Sequence, residues 1–245
     1  MYLDNSLSFD QMMALRGECF RHQKGRLTQR IQLDGKIYFI KQHHGVGYRE
    51  IIKNLLQLRW PVISARQEWK AIQKLKGLGV AVPEVLAYGE RGINPATRQS
   101  FILMEELAPA VSLEELSRSF QQQAPSFAWK ASLIERVAEM ARILHQNGIN
   151  HRDFYLCHFL LKQPEAVLYL IDLHRAQIRR LTGKRAIIKD LSGLYFSSKE
   201  SGLSQRDYFR FMKAYDGKTL REILEKDNFW KKVRARGERL YRNHP

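Results

Sequence analysis

The sequence predicts an α+β protein of two lobes, a small antiparallel-sheet lobe with one main helix and then a mostly helical lobe. Three observations carry that prediction. Two β-type runs, RLTQRIQL and KIYFIKQ, are joined by Asp34-Gly35, a pair suited to a tight hairpin turn. An acidic stretch, EELAPAVSLEEL, interrupts the strand-rich part near residue 107. Beyond it, apolar residues recur at helical spacing. The expected lobes are 1–106 and 107–245.

In the second β-run Ile37, Phe39 and Lys41 share one face, because strand side chains alternate, and Lys41 stands at the end of the strand. A basic stretch, HHGVGYREIIKNLLQLRWP, leads to Pro61. Ser64 and Gln67 have capping-box spacing ahead of a helix whose Trp69, Ile72 and Leu75 recur at helical intervals, with Gly77 and Gly79 as its stop. Residues 80–88 and 100–104 read as two more strands. After the hinge, Leu133, Ile134, Val137, Met140, Ala141 and Leu144 form one stripe, and Gly148 suits a C-terminal cap. FLLK and VLYLID form a hairpin through Pro164, and the remainder is helical. In the tail, Trp230, Val233, Leu240 and Tyr241 make an apolar side suited to packing on the lobe. Lys231, Lys232, Arg234 and Arg239 lie around it.

The formal charge of +16 calls for an anionic partner: nucleic acid, an acidic protein or phosphorylated lipid. Two cysteines, Cys19 and Cys157, are too few for a disulfide framework or a cysteine-rich zinc site, which suits a reducing, cytoplasmic compartment. The start, MYLDNSLSFD, lacks the charged and apolar regions of a signal peptide, and no run is apolar enough to span a bilayer.

Chemistry concentrates in HRDFYLCHFL at 151–160 and at four polar residues, Lys41, Glu68, Asp153 and Asp172. Taken singly, each has an ordinary explanation: a solvated lysine, a surface glutamate, a chance triplet, a turn cap. Their order resembles the protein-kinase-like fold, whose catalytic loop is His-Arg-Asp with a metal-binding Asn five residues after the Asp. Phosphoryl transfer needs charge neutralisation and alignment more than covalent help. Lys41 would hold the phosphates, Glu68 would orient Lys41, Asp172 would bind magnesium, and Asp153 would align or deprotonate the attacking hydroxyl. Arg152, after His151 in the triplet, would lock the loop by pairing with a carboxylate.

HRDFYLCHFLL, IDLHRAQIRR and IIKDLSGLYFSS, with GVGYREIIKNLLQLRWPV and ARQEWKAIQKLKGLGV before them, resemble the lipopolysaccharide core heptose I kinases of Gram-negative bacteria, over roughly residues 15–240. The resemblance implies ATP with Mg2+, phosphorylation of the first heptose of the inner core, and action at the cytoplasmic face of the inner membrane, peripheral to it. It implies nucleotide contacts at Lys41, Glu68, Glu105, Leu107 and Gly25, and metal contacts at Asp172 and His158. His158 stands where protein kinases carry Asn; it would ligate the metal or orient the loop. The segment FRHQKGRLTQR carries one glycine, Gly25, where a phosphate cradle usually has several, and Asp172 is followed by Leu173-His174 instead of Phe-Gly. Only residues 173–189 separate Asp172 from Asp190, which leaves little room for a peptide-docking segment. Asp190 resembles a carboxylate that braces the catalytic loop; a helix N-cap is the ordinary alternative.

Arg49, Lys53 and Arg59, with Arg175, Arg179 and Arg180, are candidates to gather the anionic core of nascent lipopolysaccharide. Acyl carrier protein, with which the family is associated in acylated form, is a conceivable partner for so basic a chain; nucleic acid is disfavoured. A kinase for the 3-deoxy-octulosonic acid of the same core, a kinase-like protein with a protein target, and a non-catalytic binding module stand as alternatives.

Overall fold

The computed structural model describes residues 7–23, 25–57, 61–120, 122–226 and 228–243. The chain divides into two compact units, Met1–Lys74 with Val82–Leu107, and Leu75–Ala81 with Ala108–Pro245.

The first unit holds α1 (Phe9–Ala14), β1 (Glu18–Gln23), β2 (Arg26–Leu33), β3 (Lys36–His44), α2 (Gly47–Leu56), most of α3 (Arg66–Gly77), β4 (Val85–Arg91) and β5 (Gln99–Glu105). Its antiparallel sheet runs β1–β2–β3–β5–β4. Asp34 and Gly35 both take positive φ, 49° and 75°, and the turn pairs Leu33 with Lys36. Tyr38 and Ile40 of β3 pack with Ile31, Phe101 and Leu103 against Met12 and Met13 of α1. The sequence had given no sign of α1, whose C-terminal end is tied to this face by the buried amide of Gln42, bonded to the carbonyls of Met12 and Leu15. Alternation then turns Lys41 to the opposite face. The strand continues from Lys41 to His44, so Lys41 lies inside β3 and not at its end.

Helix α3 starts at Arg66, with the Ala65 carbonyl taking the Trp69 N–H. Ser64 Oγ accepts from Arg66 N at 3.3 Å, one residue short of the bond to Gln67 that a capping box would need. The stop is at Gly79, φ +77°: Val80 N–H reaches the Leu75 carbonyl and Gly79 N–H the Lys76 carbonyl, a Schellman ending. Residues 80–84 stay outside the ladder, and β4 begins only at Val85, after Pro83, which has no N–H to pair.

In the second unit β6 (Ala110–Ser112), β8 (Phe159–Lys162) and β9 (Val167–Leu170) form a small antiparallel sheet, and β7 (Ile149–Asn150) pairs with β10 (Gln177–Ile178). Among the described residues, six α-helices complete it: α4 (Leu113–Ser119), α5 (Phe127–Gln146), α6 (Lys184–Ser197), α7 (Gln205–Asp216), α8 (Leu220–Lys226) and α9 (Phe229–Arg242). Helix α5 buries the expected stripe but starts three residues earlier, capped by Ser126. At its end Gly148 takes φ +76°, and a Cβ there would lie 2.0 Å from the Arg179 carbonyl oxygen. The tail packs as expected: Gly237 of α9 lies so close to α6 that an added Cβ would meet the Tyr195 ring at 2.4 Å, and Val233 is buried. Among the described residues no helix is long and apolar enough to cross a membrane.

Gly148→Ala is expected to cost about 1–3 kcal/mol, from the left-handed φ and the backbone clash. Gly77→Ala, where the added methyl meets open space in a helix, should be neutral or stabilising by up to about 1 kcal/mol. Denaturant unfolding of both variants checks this; equal losses would refute it.

Candidate active site

In the first unit, β3 and α3 bring Lys41 and Glu68 together, Nζ to Oε1 at 2.7 Å. The Glu68 side chain is 2% exposed, and its other oxygen is buried without a hydrogen-bond partner. A carboxylate so buried is held there by its cation, and that in turn fixes where the ammonium points. Gly25 follows β1 at φ +71°; a Cβ would lie 2.1 Å from the Gly45 carbonyl oxygen, so two backbone segments cross where only glycine fits. Glu105 ends β5, its N–H bonded to the Glu84 carbonyl, and Leu107 follows, half-buried. Arg49 and Lys53 are exposed on α2. Arg59 lies outside the described residues.

In the second unit the site is built on a buried carboxylate. Asp190 is fully buried inside α6, away from its N-terminus, and accepts the backbone N–H groups of His151 at 2.6 Å and Arg152 at 2.9 Å. It is therefore a brace and not an N-cap. Arg152 reaches a carboxylate through its backbone, where the sequence suggested its guanidinium. These bonds accompany a left-handed φ of 75° at Arg152, a conformation that surrounding structure must impose on a non-glycine residue. Asp153 follows, and Arg175 Nη1 donates to both of its oxygens, at 2.8 and 3.0 Å.

Two histidines stack beneath the loop, His151 and His158, with ring centroids 5.4 Å apart. His151 is fully buried and bonds the Ile171 carbonyl through Nε2, which must therefore carry the proton. Burial pushes its pKa down, with His158 nearby adding to the effect, so the ring is neutral. His158 Nδ1 donates to the Asp153 carbonyl at 2.6 Å. Its Nε2 faces Asp172 Oδ2 at 3.6 Å. Asp172 takes φ +59°, and its other oxygen accepts from His174 Nδ1 at 2.7 Å. Asp172 and His158 are the residues here that could hold a metal ion. Among the described residues no cluster of three or more His, Cys, Asp or Glu could hold one.

Arg175, expected among the cations for an external anion, is engaged by Asp153. Arg179 bonds Asn150 Oδ1 at 2.7 Å and also the Gln177 side chain, while Arg180 is exposed. Lys189 had not been singled out by the sequence. Burial pushes its pKa down, as do Arg152 and Arg175 nearby, with Asp153 and Asp190 pulling the other way. Arg175 is the cation in direct contact with Asp153, and Lys189 is half-buried in α6; the signal for Lys189 was its place beside Asp190. Cys157, inside the loop, has its pKa pushed up to about 11 by burial and then by Glu114, so it stays a thiol.

The profile of the lipopolysaccharide kinase (Kdo/WaaP) family matches residues 10–215. A protein of Escherichia coli strain K12, lipopolysaccharide core heptose(I) kinase WaaP, is 47% identical over 240 residues, 95% of this chain and 91% of that one. A Pseudomonas aeruginosa protein of the same name is 48% identical over 222 residues, 88% of this chain and 83% of that one. The solved structure of WaaP in complex with acyl carrier protein matches with a TM-score of 0.81 at 42% identity, over 95% of this chain and 92% of that chain.

Asp190→Asn would set an amide NH2 against a backbone N–H in a dry site. It is expected to cost about 2–4 kcal/mol and to speed amide hydrogen exchange at His151 and Arg152 above the rest of the unit. Unchanged protection at those two amides would remove Asp190 from its bracing role.

Proposed function

Because the chain belongs to the lipopolysaccharide kinase (Kdo/WaaP) family, we propose that it phosphorylates the first heptose of the lipopolysaccharide inner core. Membership of a kinase family makes ATP the phosphoryl donor. The observation that carries the reading is Asp153, with its carboxylate held by Arg175, its carbonyl bonded by His158, and the N–H groups of the two residues before it bonded to Asp190. A carboxylate so held can align a sugar hydroxyl and take its proton as the oxygen attacks. Arg175 then acts as a positioning residue for Asp153, and Lys189 and Arg152 supply positive charge for an acceptor rich in phosphate and carboxylate.

In the other unit Lys41, oriented by Glu68, would hold the nucleotide phosphates, with Gly25, Glu105 and Leu107 also on the nucleotide side. Asp172 and His158 would hold magnesium, whose charge would offset that of the nucleotide phosphates. Arg179 stays assigned to the anionic acceptor, whereas Arg49 and Lys53, exposed on α2, are not part of the acceptor site. The enzyme would work at the cytoplasmic face of the inner membrane, peripheral to it, where its lipid-anchored acceptor is made.

Acyl carrier protein is the proposed protein partner. The second unit contains a cavity of about 620 Å3, lined by apolar residues including Leu133, Ile134, Val137, Leu194 and Phe211. That volume lies within the range of about 300–1,000 Å3 usual for ligand sites. Its walls suit an acyl chain, and Lys231 and Arg234 also line it, cations of the kind an acidic carrier would meet.

Wild-type and Asp153→Asn protein, given ATP, magnesium and lipopolysaccharide lacking core phosphates, should differ by about 10²–10⁴ in turnover, with mass spectrometry placing one phosphate on the first heptose. Arg175→Lys should retain more turnover than Arg175→Ala at an unchanged KM for ATP. Phosphate on the octulosonic acid, or equal turnover by the Asp153 variant, would overturn the assignment. Val137→Trp, which fills the cavity, should abolish co-purification of acylated carrier protein while leaving ATP binding intact. Undiminished carrier would remove the cavity from that interaction.

A further inference from the structure

Helix α2 is ten residues long, and none of its residues is buried. Its apolar residues are Tyr48, Ile51, Ile52, Leu55 and Leu56, spaced i, i+3, i+4, i+7 and i+8, which is one continuous face of a helix. That face is turned to solvent: Tyr48 is 58% exposed, Ile52 55%, Leu55 49% and Leu56 81%. Exposed apolar residues scattered singly are ordinary, whereas a contiguous stripe on one helix marks a surface that something covers. Beside it, the Gly47 N–H bonds the Ala96 carbonyl at 2.9 Å and so ties the start of α2 to the loop that carries Ile93, which is 93% exposed.

Charge says what covers it. Arg49 and Lys53, one turn apart, lie along the edge of the stripe next to Leu56; Glu50, on the polar face, accepts from Asn54 and lies 3.8 Å from the exposed Lys53 ammonium. Cations at the border of an apolar face can sink their alkyl stems and reach outward to phosphate. A strongly polar face, a full apolar face and flanking basic residues are the composition of a helix that lies in a bilayer interface. Net charge of +16 draws the whole chain toward an anionic surface.

We propose that α2 is the membrane-docking element of this protein, its apolar stripe seated among the headgroups and upper acyl chains of an anionic phospholipid bilayer, with Arg49 and Lys53 on lipid phosphates. This rests on the reading of the protein as a membrane-peripheral kinase and names the segment responsible.

The test is flotation with vesicles of phosphatidylethanolamine and phosphatidylglycerol, against vesicles of phosphatidylcholine alone. Wild type should float with the anionic vesicles. The doubly substituted I52Q/L56Q, which changes no charge, should bind at least tenfold more weakly at the same salt, with an unchanged melting temperature. R49A/K53A should lose about fivefold for each charge removed, with a shallower salt dependence. Phosphorylation of a water-soluble, deacylated core by I52Q/L56Q should match wild type, which keeps docking separate from chemistry. Absence of wild-type flotation, or flotation undiminished in I52Q/L56Q, would overturn the proposal. Unchanged flotation with lost carrier-protein capture would give the stripe to a protein partner instead. A wild type that floats but phosphorylates no acceptor would sink the kinase reading and leave the docking helix standing.

Discussion

The second unit is organised around one buried charge. The Asp190 carboxylate is fully buried, so each oxygen must find donors or the fold loses several kcal/mol. It finds them in two consecutive backbone N–H groups, those of His151 and Arg152. Satisfying both from one carboxylate goes with the left-handed turn at Arg152, and that turn sets the direction in which Asp153 leaves the backbone. Charge-assisted bonds are the strong ones among neutral alternatives, which is what lets an unfavourable φ persist. The His145 ring lies 3.5 Å from the same carboxylate and bonds the Tyr215 hydroxyl, so α5 and α7 are tied to the same point.

The two stacked histidines follow from that constraint. Once Asp153 is turned outward its carbonyl points inward and needs a donor, which His158 Nδ1 provides. That bond fixes the orientation of the ring and turns Nε2 toward Asp172, 3.6 Å away. The sequence left loop orientation and metal ligation as alternatives for His158; the bond to Asp153 is a loop-orienting contact, and metal ligation is the proposed second role. His151, neutral and buried, adds bulk beneath without adding a charge next to the pair.

What was legible in the sequence was local. Asp34-Gly35 announces its hairpin because both residues must take positive φ, and few other pairs can do so. The α5 stripe and the β8–β9 hairpin were equally plain, since burial on one face dictates their periods. Helix α1 was hidden because it is short and its hold on the sheet comes from buried glutamines, residues that read as surface. Helix α2 had a full five-residue apolar face in view, yet its dense basic residues made the stretch read as a charge run. At the site, Lys41 and Glu68 could be paired in advance because strand and helix are close in sequence. Arg175 could not be assigned to Asp153, because its direction depends on a short turn after a left-handed Asp172. Cations close to a reacting carboxylate look, in a sequence, the same as cations meant for the substrate.

Helices α2 and α9 show why composition alone cannot assign a basic amphipathic segment. Both combine aromatic and aliphatic residues with several Arg and Lys. In α9 the apolar side is spent within the protein: Val233 and Gly237 are buried, Ser192 Oγ bonds the Val233 carbonyl, and Trp230 Nε1 bonds Asp216. Its basic residues are then the outer face of a packed helix. In α2 none of the described residues buries the apolar side, and the same amphipathic logic turns outward. The fraction of each stripe already buried separates a helix that completes a core from one that waits for a surface, and only coordinates supply that fraction. On the proposed docking, the α2 stripe with Arg49 and Lys53 at its edge would set the orientation in which the protein meets the membrane, while α9 would serve the fold.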